Sequence, residues 1–351
     1  MNVHRKMHTQ RRKGDDAAKY ANAKLEDFTG EIYQLCRDQH GCRFLQRQID
    51  EEAANSPNSP ATTNIASTMI FNEIYLKIVE LMVDPFGNYL IQKLFEHALV
   101  DERLILVRNA APEFVKVALD PHGTRALQTL IECITVDEEY QLVILLLRPH
   151  IVNLSRDLNG NHVVQKCLQK FSAKDNQFIF DIALTHCNEI ATHRHGCCVL
   201  QRCLDYGDEQ QRRQLLQKVA QMATNLSLDP FGNYVVQYVL LRGDQELIEI
   251  ILKHIKFNVT LLLLQKFGLN VIEKLLRIPE LSQTLVEVIL ENQSHFLEML
   301  NDPYGNYVLQ TLLEVADKGN LTRLLEALQP LLPNIKNTPH GRRIISKIQL
   351  V

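Results

Sequence analysis

The chain has 351 residues, 46% of them hydrophobic, enough for a core larger than that of a usual single domain. A formal net charge of −3 excludes a uniformly basic, nucleic-acid-coating surface and leaves any basic surface local. No apolar run approaches the roughly 20 residues of a membrane span, and MNVHRKMHTQRRK lacks the apolar segment of a secretion signal.

Residues 1–27 carry seven Lys or Arg against four Asp or Glu, and residues 1–17 are expected to form a flexible, mildly basic, solvated tail. RRKGDD at 11–16 falls within that tail. Further on, a phrase recurs: DPFGNYLIQKLF at 84–95, DPFGNYVVQYVL at 229–240 and DPYGNYVLQTLL at 302–313. Aligned on its glycine it extends to Gly41, Gly87, Gly123, Gly160, Gly196, Gly232, Gly268, Gly305 and Gly341, and seven of the eight steps are 36 or 37 residues. A fixed period of this length signals a repeat architecture. The first step is 46 residues because Ser-, Pro-, Asn- and Ala-rich sequence (EEAANSPNSPATTN and its flank, 51–68) is expected to insert a flexible loop.

Each unit reads as helical. Apolar residues follow the glycine at helix spacing, as in NYVVQYVLL, and amphipathic stretches such as 175–193 lie between the phrases. Asp84-Pro85, Asp120-Pro121, Asp229-Pro230 and Asp302-Pro303 suit an N-cap followed by Pro in the first turn. The glycine is expected where backbones pack closely. Two or three helices per unit, stacked, give an all-α solenoid. It is not a tetratricopeptide array, whose motif needs a Trp that this chain lacks. The eight cysteines, Cys36, Cys42, Cys133, Cys167, Cys187, Cys197, Cys198 and Cys203, sit mostly among aliphatics and read as reduced thiols.

With the residue after each glycine as position one, positions one and five share a helix face one turn apart. In chain order these pairs are Cys42 and Gln46, Asn88 and Gln92, Thr124 and Gln128, Asn161 and Gln165, Cys197 and Gln201, Asn233 and Gln237, Leu269 and Glu273, and Asn306 and Gln310. Positions three and four are aliphatic, Phe or Ala and belong to the core. Positions one and five should therefore form two polar rows on one surface. Position two should form a third row of mostly planar side chains: Arg43, Tyr89, Arg125, His162, Cys198, Tyr234, Asn270 and Tyr307. An amide ladder bracing adjacent units would explain the glutamines, but not the alternation of Cys or Thr with Asn, nor the single Glu. Varied hydrogen-bonding groups flanked by planar ones are what readout of single-stranded bases needs. Position six is basic in five units, at Arg47, Lys93, Lys166, Arg202 and Lys274. With Arg43 and Arg125 these are candidates for phosphate contact.

Phrases such as HGCRFLQ, FGNYLIQ, HGTRALQ, NGNHVVQ, HGCCVLQ and FGNYVVQ resemble the Pumilio (PUF) homology domain, with wording like that of its fungal members, over about residues 28–351. The resemblance implies a right-handed crescent of eight three-helix repeats with terminal capping pseudo-repeats. Its concave face would bind single-stranded RNA antiparallel, one base per repeat, in mRNA 3′ untranslated regions. By the family's code, Asn with Gln reads uracil, Cys or Thr with Gln reads adenine, and Ser with Glu reads guanine. Repeats eight to one then spell 5′-UGUAUAUA-3′. Two positions depart from the pattern. Leu269 stands where the family usually has Ser, so guanine selection rests on Glu273, whose carboxylate matches the two adjacent donors of guanine. Cys198 is a weak stacking platform, and with the family's habit of flipping a base out it points to sites of eight to ten nucleotides with UGUA fixed at the 5′ end.

The resemblance further implies post-transcriptional repression and mRNA decay in the cytoplasm by a monomer, with deadenylase-complex proteins on the convex face and no membrane partner. Residues 18–351 would form the domain, with residues 18–35 capping one end. About 325–351 would cap the other, where Arg342, Arg343 and Ser346 break the reading triad. No metal, cofactor or catalytic residue is expected. His193, His195, Cys197 and Cys198 look like a zinc cluster, but His122, His340 and Cys42 fill the same repeat slots. No phosphate loop or nucleophile–base order appears. A competing class is a scaffold of the armadillo or HEAT type clamping an extended peptide. Its ladder should be uniform, and this one is not.

Overall fold

A computed structural model of the chain describes residues 18–55, 64–242 and 244–351. The expected tail at 1–17 and the centre of the expected insert, 56–63, lie outside the described residues. Every element described is helical, with no strand among the described residues. The fold is an α-solenoid of eight repeats.

A repeat consists of a short helix, a tight turn, a helix that starts at or just before the repeated glycine, and a longer helix; in repeat two these are Ile78–Met82, Gly87–His97 and Val100–Ala110. The glycine-bearing helices are α1 (Gln39–Asn55), α2 (Gly87–His97), α3 (Gly123–Cys133), α4 (Gly160–Lys170), α5 (Gly196–Tyr206), α6 (Gly232–Leu241), α7 (Lys266–Leu276), α8 (Pro303–Val315) and α9 (Pro339–Gln349). Repeats one to eight carry α1 to α8.

The residue three before each glycine starts the helix. Asp84 Oδ1 accepts from Gly87 N at 2.7 Å, Asp229 Oδ2 from Gly232 N at 2.8 Å and Asp302 Oδ1 from Gly305 N at 2.8 Å, satisfying amides that the helix leaves orphaned. Gln265 and Thr338 fill the slot in repeat seven and in α9. In repeat five His193 fills it, its Nδ1 accepting from His195 N at 3.1 Å, which gives that histidine a capping role. Proline behaves as expected only at Pro303, inside the first turn of α8; Pro85, Pro121 and Pro230 lie in the turn before their helices. The glycine is sterically required. A Cβ on Gly87 would lie 3.0 Å from Leu81 O, and one on Gly232 would lie 2.8 Å from Leu226 O, because the short helix crosses there.

Positions three and four form the core. Leu90, Ile91, Val163, Val164, Val235 and Val236 are fully buried, each contributing roughly 1.5–3 kcal/mol of apolar transfer.

Packing divides the chain into two compact units, Met1–Ile179 and Phe180–Val351. In the first, α1 packs on α2, α2 on α3 and α3 on α4. Its long helices in repeats two and three are joined by a buried ion pair. Arg103 Nε and Nη2 reach Glu139 at 2.9 and 3.0 Å, while Arg103 Nη1 donates to Ala98 O at 3.0 Å. In the second unit α5 packs on α6, α6 on α7, α7 on α8 and α8 on α9.

Two boundaries differ from the sequence reading. Residues 51–55 continue α1 and 65–68 begin the helix Ile65–Ile74, so the expected 51–68 loop is shorter. Glu51, Glu52, Ala53 and Ala54 have high helix propensity. Asn64 closes the gap by capping Ser67 N at 2.9 Å and donating to Ile49 O at 3.0 Å. Within 18–35, Tyr20 and Phe28 stack around Phe44 of α1, each 5.3 Å from it centroid to centroid. Ile32–Cys36, however, is the short helix of repeat one, since Leu35 meets Gly41 as Leu81 meets Gly87.

Candidate nucleic-acid interface

The structure brings positions one, two and five of α1–α8 together within each repeat, with one difference from expectation. Position one is not a surface row. Cys42, Asn88, Thr124, Asn161, Cys197, Asn233, Leu269 and Asn306 are all buried, at most 4% exposed. They lie under the turn that starts their helix, and the polar ones spend their donors on backbone. Asn88 Nδ2 donates to Asp84 O and Pro85 O at 2.8 and 3.0 Å. Asn161 and Asn233 repeat this arrangement with their own turns. Cys42 Sγ and Thr124 Oγ1 instead donate to the next repeat, to Phe86 O at 3.1 Å and Asn159 O at 2.9 Å, and Asn306 Nδ2 reaches His340 O at 3.0 Å. Cys197 Sγ donates to Arg194 O at 3.2 Å. Burial, the leading cause, raises the Cys42 thiol above its ordinary pKa and pushes Cys197 up to about 12, so both are neutral donors at pH 7.

Position five is half-buried and leans on position one. The amide nitrogens of Gln92, Gln165, Gln237 and Gln310 donate to the Oδ1 of Asn88, Asn161, Asn233 and Asn306 at 3.1, 2.9, 3.0 and 2.6 Å. Gln46 and Gln128 do the same to Cys42 Sγ and Thr124 Oγ1, at 3.3 and 3.2 Å. This i, i+4 bond ties one N–H of each of these glutamines and leaves the second N–H and carbonyl lone pairs for other partners, one of which Gln92 gives to Thr129. Gln201 is also half-buried. Repeat seven departs: Leu269 offers no acceptor, and Arg277 Nε donates to Glu273 Oε1 at 2.5 Å. Glu273 is the first cause, and the Tyr307 hydroxyl a later one, of a guanidinium pKa raised above its ordinary value.

Position two faces solvent. Tyr89, Tyr234 and Tyr307 are 48, 55 and 53% exposed; Arg43, Arg125, His162 and Cys198 are exposed, and Asn270 is half-buried.

Three of the five basic residues at position six have acidic partners. Lys93 pairs with Asp50 at 2.7 Å and Lys166 with Glu132 at 2.5 Å, each bridging to position nine of the preceding repeat. Arg202 pairs with Asp205 of its own helix at 3.0 Å. Lys93 and Lys166 are thus inter-repeat braces; Arg47 is exposed and Lys274 half-buried. Thr129 and Thr311, which sequence reasoning did not single out, sit at the same position and donate to position five of the preceding repeat, at Gln92 Oε1 (3.0 Å) and Glu273 Oε1 (3.4 Å). Arg277 was also missed. Its signal is a sign reversal at position nine, which is acidic at Asp50, Glu96, Glu132, Asp205 and Glu314. No group of three His, Cys, Asp or Glu suited to a metal ion occurs among the described residues, and no helix there is long and apolar enough to cross a membrane.

The Pumilio-family RNA binding repeat matches residues 31–52, 77–109, 113–146, 150–182, 186–220, 224–256 and 295–328. The chain belongs to the Pumilio RNA-binding repeat family. The matched segments pass over 257–294, where the structure places repeat seven with the same three-helix plan.

A Pumilio domain-containing protein of Schizosaccharomyces pombe is 41% identical over 93% of this chain, and Pumilio homology domain family member 4 of Saccharomyces cerevisiae is 47% identical over 97%. The chain spans 47% and 38% of those proteins' lengths. Among solved structures, the Puf4 RNA binding domain bound to the HO endonuclease RNA 3′ UTR recognition sequence is 48% identical, with a TM-score of 0.82 over 91% of this chain and 99% of that one. The RNA-binding domain of yeast Puf5p bound to SMX2 RNA is 29% identical, with a TM-score of 0.75 over 94% and 98%. The Pumilio repeats are RNA-binding modules rather than an enzyme family.

Proposed function

We propose that this chain binds single-stranded RNA sequence-specifically, one base per repeat, at elements of about 5′-UGUAUAUA-3′. The observation that carries the reading is the layered construction of each repeat. An outward polar edge at position five rests on a buried, backbone-anchored position one and is flanked by an exposed position two.

The chemistry follows from the donors left free. A glutamine amide offers one acceptor and one donor outward. It pairs equally with the N3–H and a carbonyl of uracil or with the N6 amine and N1 of adenine. Position one must therefore break the tie. Asn88, Asn161, Asn233 and Asn306 fill the floor beneath the glutamine with a larger side chain and favour the smaller uracil; Cys42, Thr124 and Cys197 are smaller and leave room for adenine. Glu273 accepts only, which suits guanine's N1–H and 2-amino group. Tyr, Arg and His at position two stack on the bases, worth roughly 1–3 kcal/mol per base. Repeats eight to five read UGUA, and repeats four to one read UAUA. Cys198 stacks poorly, so a base turned out after UGUA is accommodated and sites extend to ten nucleotides. Arg47 and Lys274 face phosphates, while Lys93 and Lys166 chiefly brace. Residues 18–31 and α9 cap the two ends.

The RNA 3′ UTR recognition sequences bound by the similar Puf4 and Puf3 domains support a wider role in messenger 3′ untranslated regions. There the chain would act in the cytoplasm, as a monomer, to repress translation and promote decay through a deadenylase complex. Fluorescence anisotropy with labelled UGUAUAUA, beside ACAAUAUA at the same stated salt, tests the binding claim. A loss of at least a hundredfold for the second RNA is expected. Equal weak binding of both would overturn it and favour the peptide scaffold.

A further inference from the structure

We propose that Arg277 is the positioning residue that makes repeat seven a guanine reader, replacing the support that position one gives in six of the other repeats. The inference rests on the base-reading function above and deepens it.

In six repeats the position-five amide is held from its N-terminal side by position one: Gln46 by Cys42, Gln92 by Asn88, Gln128 by Thr124, Gln165 by Asn161, Gln237 by Asn233 and Gln310 by Asn306. Repeat seven has lost that support, because Leu269 is 2% exposed and has no polar atom. The support comes from the opposite side. Arg277, one turn C-terminal to Glu273, donates Nε to Glu273 Oε1 at 2.5 Å, and Thr311 of α8 donates to the same oxygen at 3.4 Å. Arg277 is itself fixed by Nη2 contacts to Thr311 Oγ1 and Glu314 Oε2, both at 3.5 Å. Lys347 of α9 holds Glu314 in turn, at 2.5 Å.

This geometry does two things for guanine. It fixes the carboxylate through Oε1, with Arg277 as the short donor and Thr311 as a long one, leaving Oε2 and the outer lone pair of Oε1 for guanine's two donors. It also supplies the counter-charge that a carboxylate needs when a base covers it and removes its water. Neither effect helps adenine or uracil, which lack guanine's paired donors. Arg277 therefore acts on selectivity at one base rather than on general affinity. The same position is acidic in repeats one, two, three, five and eight, so the reversal belongs to the repeat that reads with a carboxylate.

The test is anisotropy with UGUAUAUA and with RNAs carrying A, C or U at the second base, for the native chain, Arg277→Met, Arg277→Lys and Leu269→Ser/Arg277→Met. RNAs varied at the fifth base, read by Asn161 and Gln165 in the other unit, control for folding. Arg277→Met should reduce the preference for guanine at base two at least tenfold and leave the preference at base five within twofold. Arg277→Lys should fall between. Leu269→Ser in the double variant should recover much of the loss, because a hydroxyl at position one can donate to the Glu273 carboxylate and restore support from that side. An unchanged guanine preference in Arg277→Met overturns the proposal, and so does a loss shared equally by bases two and five or a double variant with no recovery. A native chain with no preference at either base would instead overturn the base-reading function itself.

Discussion

Gln237 Nε2 donates to Asn233 Oδ1 at 3.0 Å, while the Asn233 amide nitrogen is already bound to Asp229 O and Pro230 O at 2.8 and 2.9 Å. The buried asparagine is thus oriented by the turn, and the glutamine is oriented by the asparagine. On the proposed reading, the two layers preorganise the site, so less side-chain entropy would be lost when a base arrives.

The carboxylate of repeat seven should be indispensable for guanine. Glu273→Gln replaces an acceptor pair with an acceptor and a donor opposite guanine's two donors. Loss of one charge-assisted hydrogen bond is worth about 1.5–3 kcal/mol, or roughly ten- to a hundredfold in Kd for UGUAUAUA. Affinity for UAUAUAUA should rise relative to it, and the two RNAs titrated side by side check this.

Glycines that meet a crossing helix should resist substitution. Gly232→Ala places a Cβ 2.8 Å from Leu226 O and 3.1 Å from Leu226 Cα, and overpacking of this kind costs about 1–3 kcal/mol. Gly319→Ala should be harmless or stabilising by about 0.5–1 kcal/mol, since its nearest neighbour is Asp317 Oδ1 at 3.8 Å in the first turn of a helix. Urea melts of the two variants should therefore move in opposite directions.

The Arg103–Glu139 pair should show strong coupling. Its side chains are 7% and 1% exposed, so Arg103→Met leaves a carboxylate buried without its counter-charge, a loss of about 3–5 kcal/mol. Arg103→Met/Glu139→Leu should recover most of it. Denaturant midpoints of the four proteins give the cycle, and additive losses would contradict the buried-pair account.

Among the eight cysteines Cys198 alone is exposed. Burial pushes Cys133 and Cys187 up to about 11 and raises Cys167 and Cys203 further, so these thiols stay protonated and shielded at pH 8. A thiol reagent should label one fast site in the folded protein. UGUAUAUA should slow that labelling if the fourth base lies against Cys198, and unchanged labelling under saturating RNA would remove Cys198 from the interface.

The fold was legible because the constraint that builds it repeats. The short helix must cross beneath Gly87, Gly123 and Gly232, so the glycine recurs at a fixed period, and the aliphatics at positions three and four recur with it. The three rows at positions one, two and five were legible for the same reason, yet their depth was not. Periodicity places Asn88 and Gln92 on one face but does not say that the turn at Asp84 and Pro85 covers the first of them. Partners on neighbouring repeats were also hidden. Lys93 and Lys166 read as free cations until Asp50 and Glu132, more than 30 residues earlier, appear beside them. Arg277 escaped because it follows the phrase rather than belonging to it.

The central claim is that positions one and five together choose the base, and a code swap in repeat six tests it most directly. Asn233→Cys copies the Cys–Gln pair of repeats one and five into a repeat that carries Asn and Gln. Anisotropy against UGUAUAUA and UGAAUAUA should show the native chain preferring the first RNA and the variant preferring the second. The same preference in both proteins, with affinity merely lowered, would show that position one does not select the base and would contradict the account.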